Sequence, residues 1–315
     1  MTVLVTGGAG FIGSHLCERL LRDGSMVVCI DDLNDSYSPE IKHRNLEFCL
    51  RCSNFKLIEG SILDRGLVSS VMEQTDPDAV VHLAALAGVR SSISNPLGYI
   101  DTDVKGTAVM LEACRKSGTK KFIFASSSSV YGTAPIPFSE KDTPVLQVSP
   151  YAAAKYAGEL FCRTYSHLYS LPVVCLRFFT VYGPRQRPDM AVHIFTKAIA
   201  QGHDIIIYGD GSSFRDYTYI DDIIDGIISS IDLKCTFEAI NLGNSNKTDI
   251  LELVSIIENK LDRRAQLAFL PDQPGDVPAT YADISKAEAL LDFKPKVTLK
   301  DGIGRFADWY MENCM

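Results

Sequence analysis

Residues 2–31 constrain this chain more than any other stretch. Val3, Leu4 and Val5 form a short, β-branched apolar run that reads as a buried strand. Gly7, Gly8, Gly10 and Gly13 follow at once, and Phe11, Ile12, Leu16, Leu20 and Leu21 then recur at helical spacing. Residues 8–13 fit G-x-G-x-x-G, and counted from Gly7 also G-x-x-G-x-x-G. Glycine permits the positive φ of a tight turn. Without a Cβ it also lets backbone amides approach a pyrophosphate at a helix N-terminus. A second apolar strand over 26–30 closes on Asp31, placed to accept hydrogen bonds from ribose hydroxyls and to repel a 2′-phosphate. A glycine pattern alone is weak evidence. Strand, glycines, helix, strand and acid in register specify a dinucleotide site, and the acid favours NAD. The expected contacts are Gly7, Gly10, Phe11, Ile12, Gly13 and Asp31.

The same rhythm continues. Strands are expected over 55–58, 78–85, 121–125 and 172–177, with helices over 40–50, 63–72, 97–114 and 151–169 between them. Strands alternating with helices imply a parallel sheet wound on both faces, an α/β Rossmann architecture with ligands outside the strand C-termini. Past Phe178 the pattern changes. A loop rich in Gly, Pro and Arg precedes helices over 190–201, 222–231, 250–261, 285–291 and 299–311, with short strands over 205–208, 239–242 and 266–270. This reads as a dinucleotide-binding domain over 1–178 and a smaller α/β substrate lobe over 179–315. The chain is expected to be able to recross between them.

Composition narrows the function. The net charge of −8 argues against a general nucleic-acid or anionic-membrane surface. The nine cysteines are scattered and odd in number, no apolar run is long enough to span a membrane, and the chain opens directly in a strand. Together these predict a reduced, cytoplasmic protein. Cys49 and Cys52 form a C-x-x-C with no second pair, so no metal is expected.

Three elements converge where a nicotinamide ring should lie. The fifth strand delivers Ser127. The following helix delivers Tyr151 and, one turn on, Lys155, on the same face. A free tyrosine has a pKa of about 10 and is a poor base near neutrality. A nearby ammonium favours phenolate and brings the group towards working pH. Ser127 can hydrogen-bond the substrate oxygen. A solvated Tyr–Lys pair is the bland alternative; coupling to the dinucleotide motif favours catalysis. His82 reads as a strand-end structural histidine.

At these residues the chain resembles the extended short-chain dehydrogenase/reductase family. The matching segments are residues 6–13, His82-Leu83-Ala84-Ala85, Ser127, Tyr151 to Lys155 and Arg215-Asp216-Tyr217. The resemblance implies a nucleotide sugar between two lobes, with Leu83, Ala84 and Ala85 beside the cofactor. It also implies a homodimer through the 97–114 and 151–169 helices. Relatives often carry Asp where this chain has Ser61, so Ser61 and Ile62 are expected to frame the adenine instead.

Within that family, nucleotide-sugar dehydratases carry Asp-Glu, and decarboxylases Glu, before the Val-Tyr-Gly that here follows Ser128-Ser129. No acid is available there to protonate a leaving hydroxyl or a carbanion, which leaves epimerisation. Residues 177–190, together with 32–37, 87–90 and 273–277, are similar to UDP-glucuronate 4-epimerases. Oxidation at C4 of UDP-glucuronate puts a ketone β to the carboxylate, and such an acid loses CO₂ once the C5–C6 bond aligns with the carbonyl π system. An epimerase must hold the carboxylate out of that alignment. Ser128, Ser129, Thr180 and Arg187 are the expected donors, the last charge-assisted. By resemblance Arg215 contacts the diphosphate and Asp276 the uridine ribose. Val192, Phe195 and Tyr208 are candidate walls for uracil. Arg185 is a candidate for diphosphate or carboxylate, or a loop salt bridge. The alternatives are a UDP-glucose or UDP-N-acetylglucosamine 4-epimerase, a decarboxylating or reducing relative, and a non-catalytic dinucleotide sensor.

Overall fold

A computed structural model describes residues 1–142, 146–273, 275 and 277–315. Seven strands form one sheet: β1 (Thr2–Thr6), β2 (Met26–Asp31), β3 (Phe55–Glu59), β4 (Ala79–His82), β5 (Phe122–Ser127), β6 (Val173–Phe178) and β7 (Phe237–Leu242). Their spatial order is β7-β6-β5-β4-β1-β2-β3, and every pairing is parallel. β1, β4, β5 and β6 are almost wholly buried, as near-continuous apolar runs covered on both faces should be. The chain runs outward from β1 to β3, then returns to place β4 on the other side of β1. That reversal opens a crevice between β1 and β4 at their C-terminal ends.

Helix α1 (Phe11–Arg22) begins directly after the glycine turn, with Gly10 as its extended N-cap. The helix expected over 97–114 is one helical run in three pieces: Pro96–Tyr99, a π-helical turn at Ile100–Lys105, and α2 (Gly106–Ser117), which ends on Gly118 at φ +72°. Apolar periodicity does not register the extra residue that a π turn takes in. Helix α3 (Pro150–Tyr169) starts where Ser149 Oγ accepts the Ala152 N–H at 3.1 Å and Pro150 occupies the first turn. The expected 40–50 helix is interrupted, with an α-helix at Pro39–Asn45 and a 3₁₀ turn at Cys49–Arg51.

Beyond β6 the chain leaves the large sheet, returns to it once and leaves it again. Thr180–Tyr182 pairs in parallel with Tyr217–Tyr219. Asp204–Tyr208 then pairs with Gln266–Leu270, packed with the helices Ala191–Gln201, Ile250–Leu261 and Leu299–Asn313. Between these pieces β7 returns to the edge of the large sheet against β6, so that sheet is completed by residues beyond 178. Asp216 ties the second region together: its carboxylate accepts the N–H groups of Asn244 (2.7 Å), Ser245 (3.0 Å) and Ala282 (3.2 Å). Among the described residues, no helix is long and apolar enough to cross a membrane.

Candidate active site

The cleft at the β1–β4 crevice is built first from backbone. Gly7 has φ +72°, and a Cβ there would lie 2.7 Å from Ala84 N; one on Gly13 would lie 2.1 Å from Gly7 O. Any side chain at either position would therefore push the turn off the strand ends. The N-terminus of α1 faces the space this leaves, flanked by Leu83, Ala84 and Ala85. Such a cradle of bare backbone and helix N–H groups fits a dinucleotide pyrophosphate. Asp31 lines the same cleft. Its carboxylate accepts the Ala9 N–H and the Leu33 N–H, each at 2.9 Å, and burial raises its pKa against those two bonds. A carboxylate has about four lone-pair sites, so acceptor capacity remains for a ribose.

The loop after β2 contributes more than its composition suggests. Asp32, Asn34, Ser36, Tyr37 and Lys42 all line the cleft. Lys42 Nζ donates to Asn34 O (2.6 Å) and Asn34 Oδ1 (2.9 Å), which folds the loop over the β2 end. The Tyr37 hydroxyl is buried and has no hydrogen-bond partner among the described residues. A polar loop after a strand signals a turn; which side chains turn inward depends on Lys42, whose partner lies a loop away. Ile62 and Gly60 line the cleft as well, whereas Ser61 does not: its Oγ accepts the Leu63 N–H at 3.2 Å.

At the other end Ser127, Tyr151 and Lys155 meet. Ser127 Oγ accepts the Ser129 N–H and donates to Ser129 Oγ, both at 3.2 Å. Lys155 is buried, its Nζ 5.9 Å from the centre of the Tyr151 ring, and the Tyr99 ring stands edge-on to Tyr151 at 6.0 Å. His82 lies behind them. Its Nδ1 is 2.7 Å from Thr6 Oγ1 and its Nε2 3.2 Å from Thr107 Oγ1. Full burial, reinforced by the Lys155 charge, lowers its pKa to about 3, so it stands neutral at working pH.

Arg187 reaches the cleft. It donates to Asp189 at 2.6 and 3.0 Å and to the Ala87 carbonyl at 3.0 Å, which anchors its guanidinium at the rim. Arg185 does not line it; of the two roles left open for this residue, the structure forms the salt bridge. Its guanidinium donates to Glu18 (2.6 Å) and to the Asn45 carbonyl (3.3 Å), a structural bridge from this loop to α1. Val192 and Phe195 are likewise core residues rather than walls of this cleft. Ser128, Ser129 and Thr180 flank the lining residues Ser127 and Val181 without lining the cleft themselves. Tyr208 packs under the Arg90 guanidinium at 4.4 Å, and Arg215 donates to the Phe214 and Pro278 carbonyls. Asp276 lies outside the described residues.

Comparison with known proteins agrees with this geometry. The family model described as GDP-mannose 4,6 dehydratase matches residues 4–306. The chain belongs to that family. Among its relatives, a UDP-glucuronate 4-epimerase of Thermodesulfobacterium geofontis is 42% identical over 98% of this chain and 96% of its own length. Protein CapI of Staphylococcus aureus is 41% identical, over 99% of both chains. The crystal structure of UDP-glucuronic acid 4-epimerase from Bacillus cereus, in complex with UDP-glucuronic acid and NAD, matches at a TM-score of 0.95 with 40% identity, over 99% of both chains. A Thermotoga maritima UDP-glucose 4-epimerase with UDP-glucose matches at 0.93 with 32% identity. The GDP-mannose 4,6 dehydratase family thus takes in sugar epimerases, and in this member the turn after β5 carries the hydroxyls of Ser128 and Ser129.

Proposed function

We propose that this protein is an NAD-dependent UDP-glucuronate 4-epimerase, interconverting UDP-glucuronate and UDP-galacturonate through a 4-keto sugar. The observation that carries the reading is one cleft joining the glycine cradle to Ser127, Tyr151, Lys155 and Arg187, with serines where an eliminating enzyme needs an acid. The ligand-bound relatives support the substrate and the cofactor. NAD held by the glycine cradle and Asp31 would supply reversible hydride transfer at C4, to either face of the sugar, with no net redox. Tyr151 accepts the C4 hydroxyl proton and later returns it, with Lys155 favouring its phenolate. Ser127 holds the C4 oxygen by a hydrogen bond.

Arg187, with Ser128, Ser129 and Thr180 at the flank of the cleft, holds the C6 carboxylate charged and turned out of line with the C4 carbonyl. Charge-assisted bonds are roughly twice as strong as neutral ones, which suits Arg187 to this task. Arg215, with Asp276 and Tyr208, retains the nucleotide while the sugar swings. We assign the cofactor to the domain of residues 1–178 completed by β7, and the nucleotide sugar to its border with the 179–315 lobe. We also infer a homodimer through the 97–114 and 151–169 helices, whose outer faces expose Leu97, Ile100, Leu160 and Phe161. The nine unpaired thiols suit a reducing cytoplasm.

The test is incubation of pure protein with UDP-glucuronate and chromatography of the products. UDP-galacturonate formed with at most catalytic NAD is expected. A UDP-pentose with CO₂, or conversion of UDP-glucose alone, would overturn the reading.

A further inference from the structure

A buried carboxylate stands behind Lys155. Asp103 sits in the π-helical turn Ile100–Lys105, and irregular turns of this kind occur frequently at functional sites. Its Oδ1 accepts the Leu86 N–H at 2.8 Å, which ties it to the loop after β4 beside the cleft. Its Oδ2 is buried, has no hydrogen-bond partner among the described residues, and lies 3.6 Å from Lys155 Nζ. Both side chains are sealed from water, at 0% and 4% exposure, so little screens the pair. The rest of the Lys155 surroundings is aromatic, with the Phe124 ring centre 5.3 Å and the Tyr151 ring centre 5.9 Å from Nζ. Burial pushes the Asp103 carboxyl up, and the Lys155 charge pulls it back down.

We propose that Asp103 is a positioning residue that acts on Tyr151 through Lys155: its carboxylate fixes the ammonium and offsets part of its charge, so that Tyr151 keeps its proton to a higher pH than it would beside an uncharged amide. The inference rests on the reading of Tyr151 as the proton acceptor. An ammonium alone favours phenolate strongly; a carboxylate behind it weakens that pull. A reversible epimerisation needs the same tyrosine to take a proton and to return it, so a phenol held near balance serves both halves of the cycle.

The other groups facing this centre come from four elements. Tyr99 approaches from the helical run before α2, and its phenol is raised by burial. Arg187 acts on Tyr151 from the loop after Thr180–Tyr182, with its charge shared by Asp189. His82 at the end of β4 is neutral, and Ser127 on β5 is uncharged. Among the described residues, Asp103 is the carboxylate that reaches the Lys155 ammonium.

The experiment is an ultraviolet titration of the Tyr151 phenolate in protein supplied with NAD, with the Tyr151→Phe protein as the blank. Asp103→Asn keeps the size of the side chain beside Lys155 and removes the charge. It is expected to lower the Tyr151 midpoint by about one pH unit, a size set by Coulomb interaction at partly screened, protein-like permittivity. The acid limb of the kcat pH profile should move with it. Should Asp103→Asn fail to fold, Asp103→Ser carries the same expectation. A folded neutral variant with the parent midpoint overturns the inference, and so does failure of both neutral variants to fold, which would make Asp103 purely structural. The titration reads a phenolate and not a product. Failure to convert UDP-glucuronate would therefore strike the substrate reading alone.

Discussion

The two ends of the cleft are built from different materials. At the dinucleotide end the shape is backbone: Gly7 and Gly13 leave less room than one methyl group needs, and Asp31 is held by two main-chain N–H groups. At the sugar end the shape is side chain. Ser127, Tyr151, Lys155 and Arg187 converge from β5, α3 and the loop after Thr180–Tyr182, and the two cations are held by Asp103 and Asp189. The first end resists change sterically, so a substitution there should expel the cofactor. The second is tuned by charge and hydrogen bonds, so a substitution there should alter rate, pH response or product while the cofactor stays bound.

The largest effect expected from this contrast is at Tyr151. Tyr151→Phe should reduce kcat by about a thousandfold, within the range for loss of a positioned acid–base group, and leave NAD affinity within about twofold. Stopped-flow turnover and calorimetric NAD binding check both halves; loss of NAD binding would blur the division between the ends. Gly13→Ala should do the reverse. Its methyl would overlap the Gly7 carbonyl, and strain of about 1–3 kcal/mol should appear as a tenfold to hundredfold loss of NAD affinity in the same calorimetry. Wild-type affinity in that variant would break the steric account.

Arg187→Met is expected to weaken UDP-glucuronate binding about tenfold, to spare NAD, and to release CO₂ with a UDP-pentose in a fraction of turnovers. Product chromatography reads the leak, and clean epimerisation would remove Arg187 from carboxylate control. The smallest effect belongs to neither end. His82 has its pKa depressed to about 3, so the stability it lends is present above the unfolded value near 6.5 and is lost as pH falls below it. The stability gap between parent and His82→Gln, from urea unfolding, should therefore narrow by about 1 kcal/mol per pH unit below 6.5. A gap independent of pH would mean that His82 is charged in the folded state.

The same contrast explains what could be read from residues alone. The glycine turn, Asp31 and the parallel sheet were legible because they rest on local rules: backbone freedom, strand periodicity and a fixed spacing to the acid. Tyr151 and Lys155 were legible because one helical turn puts them on one face. Arg185 and Arg187 were not separable by such rules. They stand two residues apart in the same proline-flanked loop, yet one is taken by Glu18 on α1 and the other reaches the cleft. Only the fold brings Glu18 to Arg185. Asp103 was hidden for a similar reason, since its meaning depends on a π turn and on Lys155 from a different helix. The return of β7 to the edge of the large sheet places one of its strands inside the stretch that the changed strand–helix pattern sets apart.

The most direct test of the account follows the C4 hydrogen itself. UDP-glucuronate carrying deuterium at C4 is incubated with the protein in ordinary water, and the products are examined by mass spectrometry and proton NMR. The account predicts UDP-galacturonate that keeps its deuterium at C4, with the carboxylate intact. Deuterium lost to solvent, or a labelled UDP-pentose as the main product, would contradict it.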